Sequence, residues 1–109
     1  PDDKELLRGK CIIAIGSYMP EMREIPDAVL DLVDNVYIEL PYACEESGDL
    51  SQPLASGKLT KDRIKLMHEY LVSGEKEIKE GQTTYFKSVG MGLFDVCIAQ
   101  KLYEVAKEK

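Results

Sequence analysis

Small and hydroxyl-bearing residues follow the first apolar run of the chain, at a position where a ligand could bind. Gly16, Ser17 and Tyr18 come directly after the run at residues 11–15. In an open parallel sheet, ligands bind beyond the carboxyl ends of the strands, and glycine lets a backbone approach a flat ring closely. We therefore expect a ligand-binding edge at Gly16, with a plain strand-to-loop turn as the alternative.

Three further segments carry groups that can bind or catalyse. Arg23 can bind a carboxylate or phosphate, or it can form a surface ion pair. Glu46 lies in the acidic cluster at 45–49, where neighbouring carboxylates can shift each other's pKa; a solvated helix end is the alternative. Ser88 lies between a strand and a helix, where it can contact an anion or an amide, and a plain loop is equally compatible with the pattern.

The elements that must position these groups alternate between strand and helix. Apolar runs at 10–15 and 35–40 predict parallel strands, the first of them buried on both faces. The helix between them begins at Pro26, since proline suits a first helical turn. The second half predicts a helix at 43–49, a loop at 50–57, a helix at 60–73 ended by Gly74, a charged loop at 76–82, a strand at 83–86 and a helix at 93–106. This order predicts an α/β fold.

The last helix and the short sheet indicate part of a larger domain. The helix predicted at 93–106 has a broad apolar surface, which is larger than a thin sheet can cover. Six residues form this surface: Leu93, Val96, Cys97, Leu102, Tyr103 and Ala106. We expect the helix to pack on another domain. No Gly-x-Gly-x-x-Gly turn occurs in the sequence, so a dinucleotide site would have its phosphate-binding half elsewhere.

The composition excludes several classes of protein. The 109 residues carry 14 basic and 20 acidic side chains, a net charge of −6, which disfavours non-specific nucleic-acid binding. No apolar run has the roughly 20 residues that a membrane helix needs. We expect no signal peptide and a cytoplasmic protein. Cys11 and Cys97 read as core residues, and a single histidine gives no basis for a His-based metal site.

Four motifs in this order resemble the C-terminal part of the ornithine cyclodeaminase/mu-crystallin family. They are CIIAIGS at 11–17, PEMREI at 20–25, EESGDL at 45–50 and TYFKSVGMG at 84–92, followed by Asp95. The resemblance implies that residues 1–109 are a partial Rossmann-like NAD(P)-binding domain with parallel strands. The glycine-rich half and an N-terminal substrate and dimerisation domain would lie outside it, and the final helix would pack on that N-terminal domain in a homodimer.

The resemblance also implies roles for individual residues. Those that would contact NAD(H) or NADP(H) are Ala14, Ile15, Gly16 and Ser17 under the nicotinamide, and Ser88 beside it. Those that would border the substrate are Tyr18, Glu46 and Val89. Tyr18 stands where ornithine cyclodeaminase has an Asp general base, and a tyrosine phenol is a poor base at neutral pH.

The function that the resemblance implies is hydride transfer at the α-carbon of a small amino acid or cyclic imine. The members that fit are ketimine and pyrroline-2-carboxylate reductases, amino-acid dehydrogenases and ornithine cyclodeaminase. The alternative is a binding protein like mu-crystallin, which keeps the cofactor site and holds a small ligand without significant turnover.

Overall fold

A parallel β-sheet is the centre of the computed structural model, which describes residues 3–73 and 79–108. In these residues the strands are β1 (Cys11–Ala14), β2 (Val36–Ile38), β3 (Ile64–Leu66) and β4 (Thr84–Lys87). The helices are α1 (Lys4–Leu7), α2 (Asp27–Leu32), α3 (Ala43–Glu46), α4 (Gly48–Ser56), α5 (Met67–Ser73) and α6 (Gly92–Lys107). The strand order is β1-β4-β2-β3 and every pair is parallel, so the predicted parallel α/β class is confirmed.

The hydrophobic core lies between one face of the sheet and α2 with α4. Alternation along the strands places Val36, Ile38 and Tyr85 in this core, because side chains two residues apart share a face. Helix α2 contributes Val29 and its neighbour Leu30. The opposite face is covered at β2, where Tyr37 meets the ring of Tyr70 in α5 edge-on, with ring centroids 5.4 Å apart.

One face of β1 is uncovered in the described residues. Cys11 and Ile13 are exposed, whereas Ala14 is buried. The prediction that this strand is buried on both faces is therefore wrong here, because none of the described helices packs on its outer face. The prediction that Cys11 and Cys97 are core residues is also wrong, since both thiols are exposed.

Two predicted elements of the second half differ from the structure. The predicted loop at 50–57 is most of α4, which accommodates Pro53 and ends at Gly57 in the left-handed region with φ +84°. The predicted helix at 60–73 is instead a 3₁₀ turn (Lys61–Arg63), then β3, then α5. The apolar residues Ile64 and Leu66 also fit a strand's period of two, and pairing with β2 decides the outcome. Gly74 and most of the predicted charged loop lie outside the described residues.

Arg63 closes the carboxyl end of α2 with its guanidinium. Its Nη2 donates to the carbonyls of Leu30 and Val33, both at 2.7 Å. Its Nε donates to the Asp34 carbonyl at 3.1 Å, and its Nη1 to the Lys58 carbonyl at 3.2 Å. The last carbonyls of a helix have no partner within the helix and attract positive charge. Arg63 thereby fixes α2 against the turn that precedes β3.

Helix α6 presents its whole surface to solvent in the described structure. Every described residue from Gly92 to Glu108 is exposed, including Leu102 at 65% and Tyr103 at 67%. The described elements therefore leave this helix uncovered, as the sequence predicts for the 109 residues alone. No helix in the described part of the chain is long and apolar enough to cross a membrane.

Replacing Arg63 tests the closure of α2. Arg63→Met removes charge-assisted hydrogen bonds to four carbonyls, and we expect it to lower the free energy of unfolding by about 2–4 kcal/mol. Arg8→Met is the control, because Arg8 makes only an exposed pair with Glu5 and should change it by less than about 0.5 kcal/mol. Thermal and urea unfolding measure both. Equal losses would contradict the role assigned to Arg63.

Replacing Leu102 tests the exposure of α6. We expect the 109-residue chain made alone to self-associate, because large exposed apolar surfaces drive association. Burial of one Leu stabilises by roughly 1.5–3 kcal/mol, so Leu102→Glu should weaken association about tenfold or more. Gln100→Glu, on the same helix and with the same change of charge, is the matched control. Sedimentation that shows a monomer at high concentration for the unaltered chain would overturn this prediction.

Candidate functional site

The carboxyl ends of three parallel strands meet at one edge of the sheet. Lys87, the last residue of β4, pairs with Ala14 of β1 on one side and Ile38 of β2 on the other. The N–H of Ser88 donates to the Ala14 carbonyl at 3.0 Å, which extends the β1–β4 ladder. The loops after β1 and β4, which carry most of the predicted site residues, therefore lie side by side.

Two of the four residues predicted to lie under a nicotinamide are accessible. Ile15 is 73% exposed and Gly16 is exposed as well. Ala14 and Ser17 are buried. The surface that β1 offers at this edge is thus an apolar side chain followed by glycine backbone.

The hydroxyl of Ser17 is engaged inside the protein. Its Oγ donates to the Met22 carbonyl at 2.6 Å and lies 2.8 Å from Oγ of Ser47, at the junction of α3 and α4. This side chain fastens the loop to that junction and is not presented at the edge of the sheet.

The other predicted residues lie around the same edge with different exposure. Tyr18 and Glu46 are exposed, while Ser88 and Val89 are half-buried. Oγ of Ser88 accepts the N–H of Gly90 at 3.1 Å, which leaves its own O–H able to donate to a ligand. Of these residues, Ser88 is the one whose backbone N–H bonds the last residue of β1.

A buried carboxylate and a phenol hold the segment after β4. Oε1 of Glu39, at the carboxyl end of β2, accepts the Val89 N–H at 2.8 Å. The hydroxyl of Tyr42 donates to the Gly90 carbonyl. Partial burial and the charge of Glu39 raise the pKa of Tyr42, so the phenol remains a donor at neutral pH. Sequence reasoning missed both groups.

The loop from Tyr18 to Glu24 rests on the start of α4 through a glycine. Gly48 donates its N–H to the Met19 carbonyl at 3.0 Å. A Cβ at Gly48 would lie 2.2 Å from the Met22 carbonyl oxygen and 2.5 Å from that of Pro20. Only glycine allows this approach, and it brings the segment of Tyr18 next to the segment of Glu46.

Lys87 is the functional candidate that sequence reasoning missed. Its side chain is 0% exposed, and its Nζ lies 3.2 Å from Oδ2 of Asp49 and 3.5 Å from Oε1 of Glu24. Lysine is almost never fully buried without a partner. The signal in the sequence was the spacing of two from Tyr85, since the two side chains share the buried face of β4.

Asp49 and Glu24 join the ammonium group of Lys87 to the backbone of the loop. Oδ1 of Asp49 accepts the N–H groups of Glu24 at 2.8 Å and Ile25 at 2.9 Å. Oε1 of Glu24 accepts the Gly16 N–H at 2.8 Å. This hydrogen bond lowers the pKa of Glu24, and the charge of Lys87 adds to it against the opposing effect of partial burial. Asp49 is buried, so a solvated helix end does not describe it.

Arg23 forms an ion pair, which is one of the two roles that the sequence left open for it. Its Nη2 pairs with Oδ1 of Asp27, and its Nε donates to the Ile25 carbonyl at 3.0 Å. Beside it, a shallow cavity of about 350 Å³ is lined by Gly16, Ser17, Met22, Arg23 and Glu24. Within residues 3–73 and 79–108, no group of three His, Cys, Asp or Glu side chains is placed to hold a metal ion.

The fold and this edge define an open parallel α/β domain, the class in which ligands bind beyond the carboxyl ends of the strands. The model of the ornithine cyclodeaminase/mu-crystallin family matches residues 3–109. The chain belongs to this family, which confirms the resemblance of the four motifs.

Named relatives and solved structures agree with this assignment. The chain is 36% identical over 109 residues to the Delta(1)-pyrroline-2-carboxylate reductase of Bacillus cereus, covering 97% of this chain and 34% of the relative. The probable ornithine cyclodeaminase from Bordetella pertussis superposes with a TM-score of 0.77 at 27% identity, covering 94% of this chain and 33% of that one.

A third protein is similar in fold alone. It is the Delta(1)-pyrroline-2-carboxylate reductase of Thermococcus litoralis, solved in complex with NADH and L-proline. It superposes with a TM-score of 0.78 at 24% identity, covering 93% of this chain and 32% of that chain. The chain thus spans about a third of the length of each of these proteins.

Adding a methyl group at Gly48 tests the contact between the loop and α4. Gly48→Ala would place a Cβ against two backbone carbonyls, which cannot move as a side-chain tip can. We expect it to lower the free energy of unfolding by about 1–3 kcal/mol. Gly92→Ala is the matched control, because a Cβ there meets nothing within 4 Å. Indistinguishable melting curves for the two variants would show that the loop does not depend on this approach.

Proposed function

We propose that this chain is the carboxyl-terminal part of the cofactor domain of a nicotinamide-dependent reductase. The substrate we assign to the full-length protein is a small cyclic imino acid of the pyrroline-2-carboxylate kind. The observation that carries the proposal is the 36% identity to a Delta(1)-pyrroline-2-carboxylate reductase over 97% of the chain. The homodimer implied by the resemblance and the cytoplasmic location expected from the sequence remain predictions.

The accessible edge fits the flat face of a nicotinamide. Ile15 and Gly16 offer exposed apolar and backbone surface at the end of β1. Ser88, on the adjacent strand end, offers a hydroxyl that can donate to the carboxamide. A bound nicotinamide cofactor supplies the hydride, and these residues would orient it. With Ala14 and Ser17 buried, we assign the direct contacts to Ile15, Gly16 and Ser88.

Tyr18 favours a reductase over an ornithine cyclodeaminase. By resemblance, this position carries an Asp base in the cyclodeaminase. The exposed phenol of Tyr18 can donate a hydrogen bond, but a tyrosine is a poor general base at neutral pH. Reduction of an imine needs a hydrogen-bond donor near the ring nitrogen. It does not need a carboxylate at this position. By the same resemblance, Tyr18, Glu46 and Val89 are proposed to border the substrate.

Turnover by the full-length protein tests this proposal. We expect oxidation of NADH or NADPH with pyrroline-2-carboxylate and no release of ammonia from ornithine. Absorbance of the reduced cofactor and an ammonia assay measure the two reactions. Cofactor binding without turnover on any cyclic imine or amino acid would overturn the reductase and favour a binding protein like mu-crystallin.

Replacing Ser88 tests the assigned cofactor contact. Ser88→Ala should weaken cofactor binding about fivefold, the loss expected for one hydrogen bond of about 1 kcal/mol. Ser56→Ala is the matched control, because Oγ of Ser56 bonds only the Pro53 carbonyl within α4. Fluorescence titration of the reduced cofactor measures both variants. Unchanged affinity in Ser88→Ala would remove this residue from the site.

A further inference from the structure

We propose that Lys87 is a positioning residue for the cofactor-facing edge: its buried ammonium group holds the Glu24 carboxylate against the Gly16 N–H and so fixes the backbone after β1. This inference rests on the proposed function for the identity of the ligand. The arrangement itself is independent of it, because the contacts belong to the chain alone.

The contacts form one continuous path from the sheet to the ligand edge. Nζ of Lys87 lies 3.5 Å from Oε1 of Glu24, and the same oxygen accepts the Gly16 N–H at 2.8 Å. Asp49, 3.2 Å from the ammonium group, holds Glu24 from the other side by accepting its backbone N–H at 2.8 Å. The carboxylate is therefore fixed at both its backbone and its oxygen atoms.

Stability alone is a poor reason for this cluster. Removing charges from water costs several kcal/mol per ion, and apolar substitutes for buried ion pairs are often neutral or stabilising. Lys87 nevertheless ends the central strand β4 with its side chain fully buried. What an apolar side chain cannot supply is electrostatic attraction of the Glu24 oxygen that accepts the Gly16 N–H. We therefore assign the charge to the geometry of the edge.

The position of the Gly16 backbone matters because this backbone forms part of the proposed nicotinamide-binding surface. A Cβ at Gly16 would lie 2.6 Å from Oε2 of Glu24, so the carboxylate packs directly against this backbone. Release of Glu24 would let the peptide at Gly16 rotate or move. A displacement near 1 Å at a reacting centre can reduce rate about 100-fold.

The decisive experiment compares two ligands on full-length Lys87→Met. ADP-ribose lacks the nicotinamide, so it reports on the rest of the cofactor site. We expect Lys87→Met to weaken NADH about tenfold or more and to leave ADP-ribose affinity within about twofold. Equal losses for both ligands would show general damage and overturn the proposal, as would unchanged affinity for both.

A second readout follows Gly16 without any ligand. Amide hydrogen exchange at Gly16 in the free full-length protein should accelerate in Lys87→Met, because its acceptor is no longer held. Lys4→Met is the matched control, since it breaks the exposed pair of Lys4 with Asp31. If wild-type protein binds no nicotinamide cofactor, the proposed function fails while this exchange measurement still decides the role of Lys87.

Two substitutions at Glu24 keep the inference testable if Lys87→Met does not fold. Glu24 is 41% exposed, so the protein tolerates changes there more readily. Glu24→Gln retains an oxygen that can accept the Gly16 N–H, whereas Glu24→Ala retains none. We expect fast exchange at Gly16 and weak NADH binding in Glu24→Ala, with partial rescue of both in Glu24→Gln. Wild-type behaviour of Glu24→Ala would overturn the proposal.

Discussion

The ammonium group of Lys87 is enclosed by protein, and two carboxylates lie within 3.5 Å of it. One positive and two negative charges leave this cluster with an excess negative charge. Three backbone N–H groups offset it: Gly16 donates to Glu24, and Glu24 and Ile25 donate to Asp49. A buried charge is tolerated when opposite charges lie beside it, so the ends of β1 and β4 and the start of α4 must be arranged together.

The start of α4 illustrates how much local sequence serves this cluster. Ser47 caps the helix by accepting the Asp49 N–H at 3.2 Å, and its hydroxyl also meets that of Ser17. Gly48 lets the loop backbone approach. Asp49 then points its carboxylate back under the loop. Ser47 thus caps the helix, Gly48 permits the close backbone contact, and Asp49 supplies a buried negative charge. The acidic composition of this segment does not by itself indicate that one of its carboxylates is buried.

The sequence predicts three of the four described strands and a ligand edge, because these depend on local pattern and on one topological rule; it does not predict β3, which pairing with β2 creates. Apolar runs locate β1 and β2, and the rule for carboxyl ends places Gly16 and Ser88 at one edge. The buried position of Lys87 is not predicted from the sequence, because lysine is usually a surface residue and its partners, Glu24 and Asp49, are distant in the chain. The prediction of a loop at 50–57 is wrong because α4 accommodates Pro53, although proline is rare inside helices.

The uncovered side of β1 lies next to the proposed ligand edge. As the outer strand of the described sheet, β1 presents unpaired backbone groups along one side and the exposed side chains of Ile13 and Ile15 on one face. Backbone groups of this kind pair with another strand or with water, and apolar faces of this kind are usually covered. A neighbouring strand and helix from the remainder of a longer protein would satisfy both requirements at once. They would also stand directly beside Gly16, which is where a dinucleotide that crosses the sheet needs its second half-site. In the proposed cofactor domain, the exposure of β1 and the position of the nicotinamide face would therefore have one physical cause.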